Sequence, residues 1–203
     1  MLNAVQRWVA LVWGVWPLLL ELSIVSGEDD RPIFRFWALG AQTQDSLIRL
    51  PVKVGNYVLT DSAFVGNATA YRYSGPGAEV ITVFVYPRPS PAFEAGATPP
   101  AVLAHEAQLF VEALEIQRTR HELDDYRIAF QDSTTLKVGR ILVPKRTVAA
   151  AISRAGVRYV TLLTLYEFQE RVVKVRSSQK ASTSQSTRFG LFPDQLLRAI
   201  VVH

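Results

Sequence analysis

Residues 158–177, RYVTLLTLYEFQERVVKVRS, constrain the fold more than any other stretch of the chain. They spell two strands and a turn. Along the first strand one parity carries Tyr159, Thr161, Leu163 and Leu165, and the other Val160, Leu162, Thr164, Tyr166 and Phe168. Neither face is wet, so this strand belongs inside a sheet covered on both sides. Gln169 and Glu170 turn the chain into residues 171–176, where Val173 and Val175 point one way and Val172, Lys174 and Arg176 the other. The charged half of that second strand is expected to meet solvent or a partner.

The rest of the chain supplies material for a sheet around this hairpin. Residues 52–59 and 68–73 have strand composition, and Ser74-Gly75-Pro76-Gly77 marks a turn before the apolar run 78–86, AEVITVFVY. Pro87, Pro89, Pro91 and Gly96 then hold a loop. Thr98 is an N-cap, Pro99 fits a first helical turn, and apolar residues recur at Leu103, Ala107, Phe110, Val111 and Leu114, which predicts an amphipathic helix over 99–118 that stops near His121. Residues 126–130, 136–143 and 147–154 read as further strands. After the central hairpin, 177–187 is a polar Ser/Thr loop, and Phe192-Pro193-Asp194 opens a last helix over 195–201.

Ahead of this domain lies an apolar run, WVALVWGVWPLLL, at 8–20. It has the length of a signal-peptide core, and Val25-Ser26-Gly27 supplies small residues at a cleavage position. The alternative is an uncleaved N-terminal anchor. Either way the domain is expected to face out of the cytoplasm, as a periplasmic or secreted protein or a membrane-anchored one. Residues 1–27 are thus leader or anchor, 28–46 a linker, and 47–203 one α+β domain. The chain contains no cysteine, which removes disulfides, thiol catalysis and Cys-ligated zinc, and leaves core packing to hold an exported fold.

Charge is unevenly distributed. Across 94–132 the acids Glu94, Glu106, Glu112, Glu115, Glu122, Asp124, Asp125 and Asp132 face only Arg118, Arg120 and Arg127, whereas across 137–188 bases dominate and only Glu167 and Glu170 oppose them. Lys174 and Arg176, with Lys180 and Arg188 around the Ser/Thr loop, are the candidate contacts for an anionic or protein partner. Glu106 is the anomaly. It falls inside the apolar stripe of the helix and must be paired, with Arg154 or Arg176 the expected partner, or else serve a pocket.

No motif carries chemistry. His-Glu-x-x-His, a phosphate-cradling glycine loop, a Gly-x-Ser-x-Gly elbow and a dinucleotide fingerprint are all absent. His121 with Glu122, Asp124 and Asp125 has cation-ligand chemistry but is expected to be a solvated helix end. Tyr57, Tyr71, Tyr73, Tyr86, Tyr159 and Tyr166 either cap the core or line a ligand cavity. No catalytic residue, metal or cofactor is expected, and the basic positions lack the interleaved aromatics of a nucleic-acid surface.

The strand pair at 71–86, the helix from Pro99, the pair at 159–176 and the close at 189–202 together resemble the PsbP-like fold, over residues 47–202. The resemblance implies an α+β fold, a mainly antiparallel β-sheet covered by helices on both faces as an α/β/α sandwich. It further implies a non-catalytic accessory or assembly protein of an exported compartment or membrane, with no functional residue carried over. The leading expectation is an exported, non-enzymatic domain that contacts a protein or envelope component through a sheet edge and the basic hairpin, and touches membrane only through its N-terminal segment. The second is a small-ligand binder with a pocket between helix 99–118 and the sheet, and the third an enzyme using Glu106 or the His121, Asp124 and Asp125 cluster.

Overall fold

Two-residue turns set the architecture. They join strand β1 (Lys53–Val54) to β2 (Tyr57–Val65), β2 to β3 (Ala68–Ser74), β5 (Asp125–Val138) to β6 (Ile141–Arg154), β6 to β7 (Val157–Phe168), and β7 to β8 (Arg171–Lys180). Between the two runs of hairpins come β4 (Val80–Pro87) and helix α1 (Pro99–Thr119), and helix α2 (Phe192–Val201) closes the chain. The computed structural model describes residues 48–75, 80–88, 99–181 and 191–201. The expected leader and linker, Pro76-Gly77, the proline loop from Pro89 onward, the Thr98 cap, Arg188 and the Ser/Thr residues from 182 onward lie outside them, while Pro87, expected in that loop, ends β4 opposite Arg171.

All eight strands form one antiparallel sheet in the order β1-β2-β3-β4-β8-β7-β6-β5. After the first four strands α1 carries the chain to the far edge, and β5 to β8 return until β8 meets β4. β7 lies inside the sheet, as its two apolar parities require. Leu163 and Leu165 belong to the core on one face, and Tyr166 and Phe168 to the core on the other.

Two runs read as strands contain turns. Gly55-Asn56 divides 52–59 into β1 and the start of β2, and Gly139-Arg140 makes 136–143 the tip of a hairpin whose strands each run fourteen residues. Apolar side chains flank both turns, so hydropathy alone passes over them. β8 also runs longer than expected. Ser177 and Ser178 pair with Leu162 and Thr161, and the Thr161 and Ser178 hydroxyls lie 2.8 Å apart. Pro144 sits inside β6 where pairing with β7 has already ended at Lys145, so its missing N–H breaks no ladder bond.

The expected α/β/α sandwich is corrected to a β-rich fold. Among the described residues two helices accompany eight strands, and neither covers a whole face. α1 packs on β5, β6 and β7 through Val102, Leu103, Ala107, Phe110 and Leu114. α2 touches both β1 and β5, the opposite edges of the sheet. Leu136, Val138 and Val143 from the β5–β6 tip therefore share a core with Val54 and Tyr57 from the other edge, with Phe192, Leu196 and Leu197 between them. The sheet curls about α2 and buries its own apolar surface, so a layer of helices is not needed. Phe192 meets Tyr57 and Tyr73 edge to face at 4.9 and 5.2 Å between centroids.

The end of α1 is fixed by its backbone. His121 takes φ 59°, its N–H donates to the Arg118 carbonyl and that of Glu122 to the Gln117 carbonyl, which together close a Schellman motif. No helix among the described residues is long and apolar enough to cross a membrane.

The β7–β8 turn carries a backbone cost. Gln169 and Glu170 have φ 51° and 59°, the left-handed pair of a type I′ turn, with no glycine. Replacing them by Asn and Gly should raise stability by about 1 kcal/mol, because each non-glycine residue there costs roughly that much. Denaturant and thermal melts of Q169N/E170G check it; an unchanged or lower midpoint would show that the turn side chains compensate.

Candidate functional site

The pleat of β8 places Val173, Val175 and Ser177 toward α2 and Val172, Lys174, Arg176 and Ser178 toward α1. Its register puts Lys174 between Phe84 of β4 and Leu165 of β7, and Arg176 between Thr82 and Leu163. The charged half of the strand, expected to meet solvent or a partner, thus faces the margin of the α1 interface. Lys174 keeps only 12% of its side chain exposed. Of the other candidates for partner contact, Lys180 is exposed at the end of β8 and Arg188 lies outside the described residues.

Glu106 enters this interface from α1 as a buried carboxylate. Its Oε2 accepts a hydrogen bond from the Tyr86 hydroxyl at 2.6 Å and lies 3.6 Å from Lys174 Nζ. The carboxylate is paired, as a charge on an apolar stripe requires, but with Lys174 rather than Arg154 or Arg176. Tyr86, the neutral donor, stands among the six candidate tyrosines, but its place in the alternating run of β4 gives no sign that Glu106 is its partner. Burial raises the Tyr86 phenol well above its usual value, and the adjacent carboxylate reinforces the effect. Burial lowers the Lys174 ammonium, Glu106 opposes that, and Arg176 adds to it.

Arg176 has no carboxylate partner among the described residues. Its guanidinium carbon stands 5.8 Å from the centre of the Phe110 ring, and burial lowers its pKa. Two cations on alternate residues of one strand, about 7 Å apart, repel by roughly 2 kcal/mol at an effective dielectric near 20. The one carboxylate beside them, Glu106, pairs with Lys174 and leaves Arg176 unanswered among the described residues.

The remaining candidates are distributed elsewhere. Tyr57, Tyr71, Tyr73 and Tyr166 face the α2 core. There the Tyr73 hydroxyl donates to the Pro51 carbonyl at 2.7 Å, and Tyr166 donates to Asp194, which also accepts from Lys145 Nζ at 2.7 Å. Asp194 stands in the first turn of α2, where a negative charge is favoured. These tyrosines cap and tie the core, and of the six only Tyr86 reaches Glu106. At the end of α1, Asp124 Oδ2 accepts from the Gly156 N–H at 2.9 Å and the Ser153 hydroxyl at 3.3 Å, so the acid holds the β6–β7 turn. Among the described residues no group of three His, Asp or Glu side chains is placed to hold a metal ion.

The outer edge of the sheet is a different kind of surface. In the two-residue hairpin Val138 and Ile141 form the closing pair, so even-numbered residues from Phe130 to Val138 bond to β6, while Gln131, Ser133, Thr135 and Lys137 turn their backbone groups outward. Arg198 donates to the Lys137 carbonyl at 3.0 Å, consistent with that direction. Arg146 reaches across to the Ser133 hydroxyl at 2.8 Å. Phe130, Ile141 and Leu142 are exposed on or next to this edge.

Two outcomes follow from this geometry. Glu106→Gln keeps an acceptor for Tyr86 but strands Lys174, and should cost about 3 kcal/mol; adding Lys174→Met should recover most of it. Urea melts of the single and double variants check this, and equal losses in both would remove Lys174 as the partner. Hydrogen bonds from Gly156 and Ser153 hold Asp124 below its ordinary pKa of 3.8. Its stabilisation is therefore complete above that ordinary value and is lost as pH falls through the depressed one. Asp124→Asn should flatten the stability profile in that acid window and converge with the wild type below it, as followed by melts between pH 2 and 6. In comparisons with known proteins, the chain matches no family model and no curated protein sequence.

Proposed function

We propose that this chain is an exported, non-catalytic binding domain that takes an extended segment of a protein partner against the outer edge of β5. The observation that supports this most directly is the edge itself. β5 ends the sheet, runs fourteen residues, and presents the outward backbone groups of Gln131, Ser133 and Thr135 as a template for another strand. Phe130, 52% exposed, adds an apolar anchor beside them. This surface does not include the basic hairpin, whose Lys174 pairs with Glu106 at the margin of α1. The exported location rests on the apolar run at 8–20.

Strand addition can be tested without disturbing the fold. Proline at Thr135 removes an N–H that faces outward and leaves the β5–β6 ladder bonds in place. A photo-crosslinking amino acid at Gln131, introduced into the full chain in its native cells, should give a discrete adduct with one protein. The same probe at Glu112, on the exposed side of α1, should give none, and Thr135→Pro should abolish the Gln131 adduct while leaving the melting temperature within about 2 °C. Equal adducts from both positions, or an adduct that survives Thr135→Pro, would reject the edge as the docking surface.

A further inference from the structure

Three strands in from that edge, on the α1 face of β8, the polar cluster holds one cation more than its acids answer. We infer that Arg176, backed by Lys174, is a recognition point for a phosphate-type oxyanion at the margin of the α1 interface. The arginine is placed where a ligand can reach it. α1 packs on β5, β6 and β7, so β8 lies at the border of its cover, and Arg176 keeps part of its surface exposed. The guanidinium carbon stands over the Phe110 ring, and the planar fork of N–H donors has no acceptor among the described residues. That fork matches two oxygens of a phosphate or carboxylate.

The neighbouring groups suit an anion. Thr82 stands opposite Arg176 on β4, and Ser178 follows it on the same face of β8, both partly exposed. Lys174, two residues before, supplies a second positive charge. Its attraction to Glu106 acts through a carboxylate oxygen that also accepts from Tyr86, so the lysine charge is only partly spent. A bound oxyanion would balance the cluster and relieve the repulsion between the two cations.

The probe is inorganic phosphate, titrated into the domain at constant ionic strength against chloride. Melting temperature should rise by about 3 °C at a phosphate concentration near ten times the dissociation constant, and the Arg176 side-chain Nε–Hε resonance should shift along with it. Arg176→Met keeps the apolar contact with Phe110 and removes the repulsion on Lys174. It should melt at or above the wild-type temperature in chloride and lose the phosphate response. Arg176→Lys keeps the charge and loses the fork, and should weaken phosphate binding about tenfold or more. A wild-type response no larger in phosphate than in chloride, or one retained by Arg176→Met, would overturn the assignment. Once the phosphate effect is seen, vesicles of phosphatidylglycerol in phosphatidylcholine separate its sources: flotation of wild type but not of Arg176→Met assigns the group to a lipid headgroup, and no flotation assigns it to a free phosphate compound.

Discussion

Every strand contact in this sheet but one is made between hairpin neighbours. The exception is β4 against β8, an eight-pair antiparallel ladder from Val80 opposite Ser178 to Pro87 opposite Arg171. This ladder joins the meander β1 to β4 to the meander β5 to β8, and both cores depend on it. Val83 and Val85 face Val175 and Val173 on the α2 side, while Tyr86 faces Val172 on the other. The pairing closes a loop of some ninety residues, with the entropy cost that implies, before its contacts are gained. α1 sits on that long connection, and its Glu106 reaches back to Tyr86 and Lys174, one residue from each strand of the ladder. The ion pair therefore ties the crossover helix, which packs on β5, β6 and β7, to the neighbouring seam.

Much of this was legible from local pattern. Two apolar parities placed β7 inside the sheet, the 3.6-residue stripe placed α1, and Gln169-Glu170 marked a turn without any glycine. Glu106 announced itself as a charge in the wrong place, though its partner did not. A strand with Lys174 and Arg176 on one parity has the period-2 pattern of a wet face, and nothing in that pattern shows a helix lying beside it. Pairing of β4 with β8, some ninety residues apart, is decided by register, and register is set by turns. The turns at Gly55-Asn56 and Gly139-Arg140 lie within apolar runs, so the hairpins they define were read as single strands.

The difference between the expected sandwich and the observed fold has one physical source. A flat sheet needs a layer on each face, whereas a strongly curled one brings its own edges together. Here the curl lets β1 and β5 share α2, so ten residues of helix serve a core drawn from both ends of the sheet. Asp194 anchors that helix to the sheet through Tyr166 and Lys145, and Arg198 fastens its last turn to the backbone of β5.

The β5–β6 hairpin overhangs the sheet, because β7 stops pairing with β6 at Lys145 while the hairpin continues to its tip at Gly139-Arg140. An overhanging hairpin has two borders, and each could recruit a neighbouring molecule in a crowded compartment. Pro144 lies on the inner border. Without an N–H it offers an incomplete rung there, and a second chain laid along that side would find a gap in the ladder. The protrusion is thereby made one-sided: pairing is discouraged along β6 by Pro144, whereas the β5 border has no such gap apart from the Lys137 carbonyl, which Arg198 occupies.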